Sequence, residues 1–212
     1  MAELVLVRHG VTAWNRARRF QGHIDIPLDD EGHRQARLAA RRLAQEPISA
    51  VYASDLGRAV QTAEPIAQAL GLALGSEPGL RERHYGAFEG LDHDTIEREH
   101  AEAFARWRAR DPDYVLPGGG ETLRTFSARV EAAMLRLALR HPGERVVAVT
   151  HGGVLDCAYR IASGLDLGAP RRHDLLNASV NRVAWDGVRF RLIAWGDVSH
   201  LDAALDDVEA RA

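Results

Sequence analysis

Two apolar stretches of this chain each end in a histidine followed by glycine, and this pair constrains the fold more than any other feature. The first, LVLVRHG, spans residues 4–10, and the second, VVAVTHGG, spans residues 146–153. Both are short, rich in valine and leucine, and not alternating, which is typical of strands buried on both faces of a parallel sheet. Ligands of open α/β sheets bind at the carboxyl ends of such strands. If the two strands are neighbours, His9 and His151 meet in one crevice.

Such a crevice would be strongly cationic, because Arg8 stands directly beside His9. Two imidazoles and a guanidinium repel one another unless an anion lies between them, and a phosphoryl group carries about 1.5–2 negative charges near neutral pH. All 27 basic residues are arginines, whose planar fork suits oxyanions. A single His-Gly after a strand is most often a turn with a hydrogen-bonded histidine, so the spacing alone leaves a structural role open.

The remaining patterns alternate between strand and helix, which predicts a three-layer α/β/α sandwich with a mostly parallel sheet. A second strand pattern covers 48–54, and helical spacing is found at 32–45, 56–71, 92–111, 121–140 and 154–164. Pro65 predicts a kink or break within its helix. The last apolar stretch alternates around Asp186-Gly187, which predicts a hairpin that adds an antiparallel strand.

Length and composition limit the class of protein. A chain of 212 residues, 46% hydrophobic, suits one α/β domain. We interpret 1–212 as a single domain with a small helical cap inserted at about 84–120. The net charge of -3 argues against a nucleic-acid partner. Cys157 is the only cysteine, which is typical of the reducing cytoplasm. No leader pattern and no apolar run near the ~20 residues of a membrane span are found, so we expect a cytoplasmic protein with no membrane partner.

Six motifs occur in order between Leu4 and about Val154. They are LVLVRHGVTAWN, RFQGHIDIPLDDEGHRQA, YASDLGRAVQTA, LRERHYGAFEG, PGGGET and VTHGGV. Together they resemble the histidine phosphatase superfamily, the phosphoglycerate-mutase-like proteins. RHG by itself is a weak signal, but six ordered motifs are specific. The chain from Gly164 onward carries little of this signature.

The resemblance implies a two-step phosphoryl transfer. His9, the histidine of RHG, attacks phosphorus and becomes a phosphohistidine, which water then hydrolyses. For this, the attacking nitrogen must be neutral and the other ring N–H must be held by a backbone carbonyl. Glu82, in RERHYG, matches the family's proton donor to the leaving oxygen, a role that requires a protonated carboxyl. Without the motif, Glu82 would be interpreted as an exposed glutamate between two arginines.

The resemblance also implies a phosphate pocket whose donors surround the oxygens of the transferred group. The matching catalytic and substrate-binding residues are Arg8, Arg58 and His151, with Asn15, Gln21, Gly22, Tyr85 and Gly152. Three of these have structural alternatives: Asn15 as a helix cap, Gln21 as a loop residue and Tyr85 as a core aromatic. His84 stays undecided. The chemistry implies no cofactor and no metal, and the scattered remaining histidines show no metal-ligand spacing.

Two activities share this chemistry. ERHYG is the spelling typical of mutases, which return the phosphoryl group to another hydroxyl of a phosphoglycerate. Against a mutase, the chain is short, has no lysine to hold a bisphosphate, and has His23 where mutases have tryptophan; Gln21 before Gly22 is typical of the small phosphatases. We therefore predict a phosphomonoester hydrolase acting on a small phosphorylated metabolite, with phosphoglycerate mutase as the alternative.

A third interpretation is a catalytically dead phosphate-binding module, and the presence of both His9 and Glu82 argues against it. The predicted partner is a small-molecule phosphate ester. The apolar terminal hairpin leaves a homodimer open.

Overall fold

One six-stranded sheet forms the centre of the computed structural model, which describes residues 1–202 and Asp206. The strands are β1 (Ala2–Arg8), β2 (Ala50–Ala53), β3 (Leu74–Ser76), β4 (Arg145–Thr150), β5 (Val180–Trp185) and β6 (Phe190–Asp197). Their order in the sheet is β3-β2-β4-β1-β5-β6. β1, β2, β3 and β4 pair in parallel, whereas β5 runs antiparallel to both of its neighbours. The predicted hairpin and its antiparallel strand are confirmed.

Seven α-helices lie within the described part of the chain. They are α1 (Ala13–Arg16), α2 (Asp30–Leu43), α3 (Gly57–Leu70), α4 (His93–Glu99), α5 (Ala101–Arg108), α6 (Leu123–Arg140) and α7 (Gly152–Ser163). Two short 3₁₀ turns, Pro78–Leu80 and Gly86–Phe88, flank the segment that carries Glu82. None of the helices in this part of the chain is both long enough and apolar enough to cross a bilayer.

The strand β1 is apolar on both faces because both faces are covered by helices. Leu4 and Leu6 pack in one cluster with α6 and α7. Val5 and Val7 point the other way and pack with α2 and α3. Burying each of these side chains contributes about 1.5–3 kcal/mol, which is why the stretch does not alternate. The predicted α/β/α sandwich is confirmed.

Local capping fixes the helix limits. The Asp29 side chain accepts from the Gly32 N–H at 2.8 Å and caps α2, and Gly71 ends α3 in the left-handed region at φ 67°. Pro65 lies inside α3, which continues without interruption to Leu70. The predicted break at Pro65 is therefore wrong, because the apolar face of α3 is held against the sheet on both sides of the proline.

The segment 84–120, here called the cap, contains α4 and α5 and has its own apolar cluster. Phe20 enters this cluster from outside the segment and lies 5.0 Å from the Tyr85 ring, centroid to centroid. The single helix predicted over 92–111 is wrong: the chain leaves the helical region at His100, with φ -136° and ψ 41°. The turn between α4 and α5 places Ile96 and Phe104 in the same cluster. The sequence pattern also missed β3, a three-residue edge strand without a buried side chain.

A buried ion network joins the cap to the main body. Arg110 donates to Asp156 of α7 at 2.6 Å, and Arg160 donates to the same carboxylate at 2.9 Å. Burial raises the pKa of Asp156, but the hydrogen bond from His173 and the charges of the two arginines outweigh it and hold the pKa well below its usual range. The end of the cap is thereby fixed to the helix that follows His151.

Candidate active site

The structure brings together the two histidines that end the apolar strands. β1 and β4 are hydrogen-bonded neighbours with Arg8 opposite Thr150, so His9 and His151 leave the sheet side by side. Their ring centroids are 5.2 Å apart and the rings are tilted by 58°. Only 2% of His9 and 0% of His151 is exposed. At this edge of the sheet the two imidazoles therefore lie next to each other.

The backbone fixes the orientation and the tautomer of His9. Its Nδ1 lies 2.7 Å from the Gly10 carbonyl oxygen, and since a carbonyl can only accept, Nδ1 carries the proton. The Nε2 atom consequently keeps its lone pair. The Gly10 N–H donates to Thr62 Oγ1 at 3.0 Å, and Asn177 Nδ2 donates to the His9 carbonyl at 3.0 Å. These bonds give His9 the geometry that a nitrogen nucleophile requires.

His151 has one nitrogen engaged and one without a partner. Its Nε2 lies 2.8 Å from Ser54 Oγ. Its Nδ1 is buried and makes no hydrogen bond within the described residues. Leaving such a group unsatisfied costs about 1–3 kcal/mol, so the site is suited to a ligand that brings a hydrogen-bonding oxygen to this ring.

Both imidazoles are neutral at neutral pH. Burial is the main reason that the pKa of His9 lies well below 6.5, and the neighbouring Arg58 and Arg8 lower it further. Burial likewise lowers the pKa of His151, with contributions from Arg58, His9 and Arg8. A neutral His9 satisfies the electronic requirement for attack on phosphorus.

These depressed pKa values predict a loss of stability in weak acid. Histidine in the unfolded chain titrates near 6.5, whereas folded His9 and His151 resist protonation, so between pH 7.5 and 5.5 protons bind mainly to the unfolded state. The free energy of unfolding should fall by about 1 kcal/mol per histidine over this interval. Urea denaturation of the wild type and of His9→Asn measures this change. The variant should lose about 1 kcal/mol of this dependence, and equal slopes for both proteins would contradict the prediction.

Two buried guanidinium groups flank the histidines. Arg8 is 2% exposed and donates from Nη1 to the Leu175 carbonyl. Arg58 is 0% exposed and donates to the carbonyls of Gly22 at 2.7 Å and Ile24 at 3.0 Å. Burial lowers the pKa of Arg58 to about 10, which leaves it cationic at neutral pH. The site therefore holds buried positive charge that an anion would neutralise.

Glu82 is buried beside this group, so the interpretation of an exposed glutamate is wrong. Its carboxylate accepts from the Arg83 N–H at 2.8 Å and from the Gly153 N–H at 3.1 Å. A Cβ at Gly153 would lie 2.4 Å from Glu82 Oε1, so a side chain there would force the Glu82 carboxylate to move. Arg129 Nη2 donates to the Glu82 carbonyl at 3.2 Å, and His23 Nε2 lies 2.9 Å from it. Side chain and backbone of Glu82 are thus both held.

A small cavity opens between these groups. Its lining residues are Arg8, His9, Asn15, Arg19, Gln21, Gly22, Arg58, Glu82 and Tyr85. For Asn15 and Tyr85 the structural alternative holds, since Asn15 forms a capping box with Thr12 and Tyr85 packs against Phe20; both residues also line the cavity. Neither His151 nor Gly152, which begins α7 directly after it, is a lining residue of this cavity. No group of three His, Cys, Asp or Glu side chains in the described ranges is placed to hold a metal ion.

Sequence reasoning missed four residues of this site. Ser54 contacts His151, and Thr62 contacts both Gly10 and the Arg58 carbonyl. Both lie inside motifs already quoted, so the signal was present but not used. Asn177 lies in the tail that carries little signature, whereas Arg19 is the first residue of the quoted motif RFQGHIDIPLDDEGHRQA and was assigned no role.

His84 lies beside the site rather than in its lining. Its Nδ1 is 3.2 Å from the Gly119 carbonyl oxygen, and its ring centroid is 5.0 Å from that of His23. The contact between these two rings joins the cap to the loop that contains His23.

The fold and site define a class, and comparison with known proteins identifies it. The profile of the histidine phosphatase superfamily (branch 1) matches residues 4–198. The chain belongs to this superfamily.

Among its relatives, phosphoglycerate mutase-like protein 4 of Arabidopsis thaliana is 43% identical over 204 residues, which cover 95% of this chain and 87% of the relative. Metal-independent phosphoserine phosphatase of A. thaliana is 42% identical over 207 residues, covering 96% and 84% respectively. The solved structure of Bacillus stearothermophilus YhfR superposes with a TM-score of 0.86 at 34% identity, covering 94% of this chain and 99% of that one. The resemblance stated from the motifs is confirmed.

Proposed function

We propose that this protein hydrolyses a small phosphomonoester through a phosphohistidine on His9. The observation that carries the proposal is the hydrogen bond from His9 Nδ1 to the Gly10 carbonyl, which leaves Nε2 as a buried nucleophile. The guanidinium groups of Arg8 and Arg58 lie beside it. They are fixed donors for the oxygens of the transferred group and need no reorganisation during the reaction. The unpartnered Nδ1 of His151 is a further donor.

In the first step, His9 Nε2 forms a bond to phosphorus as the bond from phosphorus to the ester oxygen breaks. Glu82 gives its proton to the departing oxygen. The negative charge of the bound phosphoryl group favours this protonated form of Glu82. In the second step, water attacks the phosphohistidine, the bond between nitrogen and phosphorus breaks, and the Glu82 carboxylate takes the proton of the water. Inorganic phosphate and a regenerated imidazole complete the cycle.

The remaining residues of the motif set are assigned to substrate binding. Asn15, Gln21 and Gly22 line the cavity, and Tyr85 forms part of its wall from the cap. Gly152 supports the site through the start of α7. We also propose that these elements form one domain with the cap as its insertion, and that the enzyme acts in the cytoplasm, where its lone buried Cys157 would stay reduced.

A phosphatase is preferred to a mutase because this chain lacks groups that would bind a second phosphate. It has no lysine, and His23 follows Gly22 at the position where mutases have tryptophan. The names of the relatives include both a mutase-like protein and a phosphatase. A mutase must keep water from its phosphohistidine long enough to return the group.

The test is a rapid-quench reaction with a radiolabelled phosphomonoester. An acid-labile, base-stable phosphoenzyme should form and decay to inorganic phosphate. In parallel, 3-phosphoglycerate is supplied with a trace of 2,3-bisphosphoglycerate. Isomerisation much faster than phosphate release would overturn the preference for a phosphatase, and phosphate release without any phosphoenzyme would overturn the phosphohistidine.

Removing Arg58 should weaken oxyanion binding. We expect Arg58→Ala to raise the inhibition constant of orthovanadate by about 10- to 100-fold, the range for loss of hydrogen bonds to a charged group. Arg58→Lys keeps the positive charge but not the planar guanidinium, so its inhibition constant should lie between those of the wild type and Arg58→Ala. Arg37→Ala removes an exposed arginine of α2 and is the matched control. Thermal unfolding of each variant checks the fold, and unchanged vanadate inhibition in folded Arg58→Ala would place Arg58 outside the site.

A further inference from the structure

Arg19 differs from every other residue that lines the cavity. Within the described chain, its side chain is the one exposed member of that set, whereas Arg8, Arg58 and Glu82 are all buried. An exposed lining residue marks the side on which the cavity meets solvent. The phosphoryl group is directed inward toward His9, so the alcohol half of the ester must extend toward this side, past Arg19.

The backbone of Arg19 is held firmly although its side chain is exposed. Arg18 adopts a left-handed conformation at φ 53°, and the Arg19 N–H then donates to the Trp14 carbonyl at 2.9 Å. Arg19 also forms an isolated antiparallel bridge with Asp92. The next residue, Phe20, is completely buried in the cluster of the cap. The backbone of Arg19 is therefore fixed at the edge of the cavity, and the position of its guanidinium depends only on the conformation of the Arg19 side chain.

The guanidinium of Arg19 also keeps hydrogen-bonding capacity. Its Nη1 donates to the Gly90 carbonyl at 3.3 Å, and no carboxylate of the described residues lies within ion-pair distance of it. The Asp92 carboxylate acts at longer range and accepts from the Thr95 N–H at 2.8 Å, where it caps α4. The edge formed by Nε and Nη2 stays available, and this edge is the one with which arginine holds a planar oxyanion in two parallel hydrogen bonds.

Building on the function proposed above, we propose that Arg19 binds a carboxylate on the alcohol half of the substrate, which makes the preferred substrates small phosphomonoesters that also carry a carboxylate. A carboxylate is favoured over a second phosphate because, among the described residues that line the cavity, Arg19 carries the one exposed guanidinium. The two buried arginines beside His9 match a phosphoryl dianion, whereas one charge matches a monoanion.

Two pairs of compounds isolate the effect of the carboxylate. Phosphoserine and phosphoethanolamine differ only in this group, and 3-phosphoglycerate differs from glycerol 3-phosphate in having a carboxylate in place of a hydroxymethyl group. We expect the wild type to have a higher kcat/KM for the carboxylated member of at least one pair. Arg19→Gln should reduce that preference by about tenfold, the lower end of the range for a charged hydrogen bond, because the site is exposed. Arg19→Lys should retain part of it.

Arg18→Gln is the matched control, since it removes the neighbouring exposed charge without touching the cavity lining. It should leave the preference unchanged, and an equal loss in both Gln variants would assign the effect to general charge rather than to Arg19. p-Nitrophenyl phosphate carries no carboxylate, so Arg19→Gln should lower kcat/KM for the carboxylated compounds by a larger factor than it lowers kcat/KM for p-nitrophenyl phosphate.

The two proposals fail in different ways. Absence of a phosphoenzyme on any ester would overturn the hydrolytic mechanism. A phosphoenzyme and normal hydrolysis of p-nitrophenyl phosphate, with no preference for the carboxylated compound in either pair, would overturn the assignment of Arg19 alone. A preference that Arg19→Gln leaves intact would do the same.

Discussion

His9→Ala is expected to abolish turnover of every phosphomonoester, with a loss of at least about 10⁴-fold in kcat. The second imidazole is not placed to substitute for the first, because His151 Nε2 is engaged with Ser54 at 2.8 Å and His151 does not line the cavity, whereas His9 lines it with Nε2 available. Steady-state kinetics and the phosphoenzyme assay give the result. The variant should still bind phosphate, since the buried arginines stay in place.

His33→Ala is the control for this prediction, because His33 lies on α2 outside the cavity lining. It should keep both turnover and the phosphoenzyme. Full activity of His9→Ala, with a native thermal transition, would remove His9 from the mechanism. A phosphoenzyme that persists in His9→Ala would point to a different acceptor.

Glu82→Gln is expected to slow the reaction by about 10²–10⁴-fold when the leaving alcohol is poor, and far less for p-nitrophenol. The reason is that a good leaving group departs without a proton, whereas an alkyl alcohol does not. A plot of log kcat/KM against the pKa of the leaving alcohol should therefore become steeper in the variant. Burst kinetics show whether the formation of the phosphoenzyme is the affected step.

The Glu82 variant also has a structural cost that must be separated from its chemistry. Both carboxylate oxygens accept backbone N–H groups, from Arg83 and Gly153, and an amide offers only one oxygen. Some loss of stability is therefore expected, but it would affect all esters alike. Glu64→Gln, on the exposed face of α3, is the control. Equal losses across leaving groups would contradict the role of proton donor.

The centre of the site could be predicted from the sequence because the strands and turns that form it have recognisable local sequence patterns. Two strands buried on both faces, each followed by His-Gly, lie side by side in the sheet, and their histidines do converge. Six ordered motifs supplied Arg58 and Glu82, which spacing alone would not select. The fold class followed from the same alternation of strand and helix.

What the sequence could not supply depends on tertiary contacts. The turn at His100 depends on the packing of Ile96 and Phe104 into one apolar cluster. In the sequence, by contrast, the helical spacing of charged residues continues through His100, so no local pattern marks the turn. Asn177 reaches the His9 carbonyl from 168 positions away, so no window on the sequence contains both partners. Arg19 becomes distinct only once its neighbours are known to be buried.

The bond between Arg110 and Asp156 has a consequence for how substrate enters. To swing the cap away as a rigid lid would separate Arg110 from Asp156, a buried pair at 2.6 Å. This ion pair therefore opposes movement of the cap as a rigid body. We accordingly expect substrate to enter with the cap in place, on the side of the cavity where the exposed Arg19 lies.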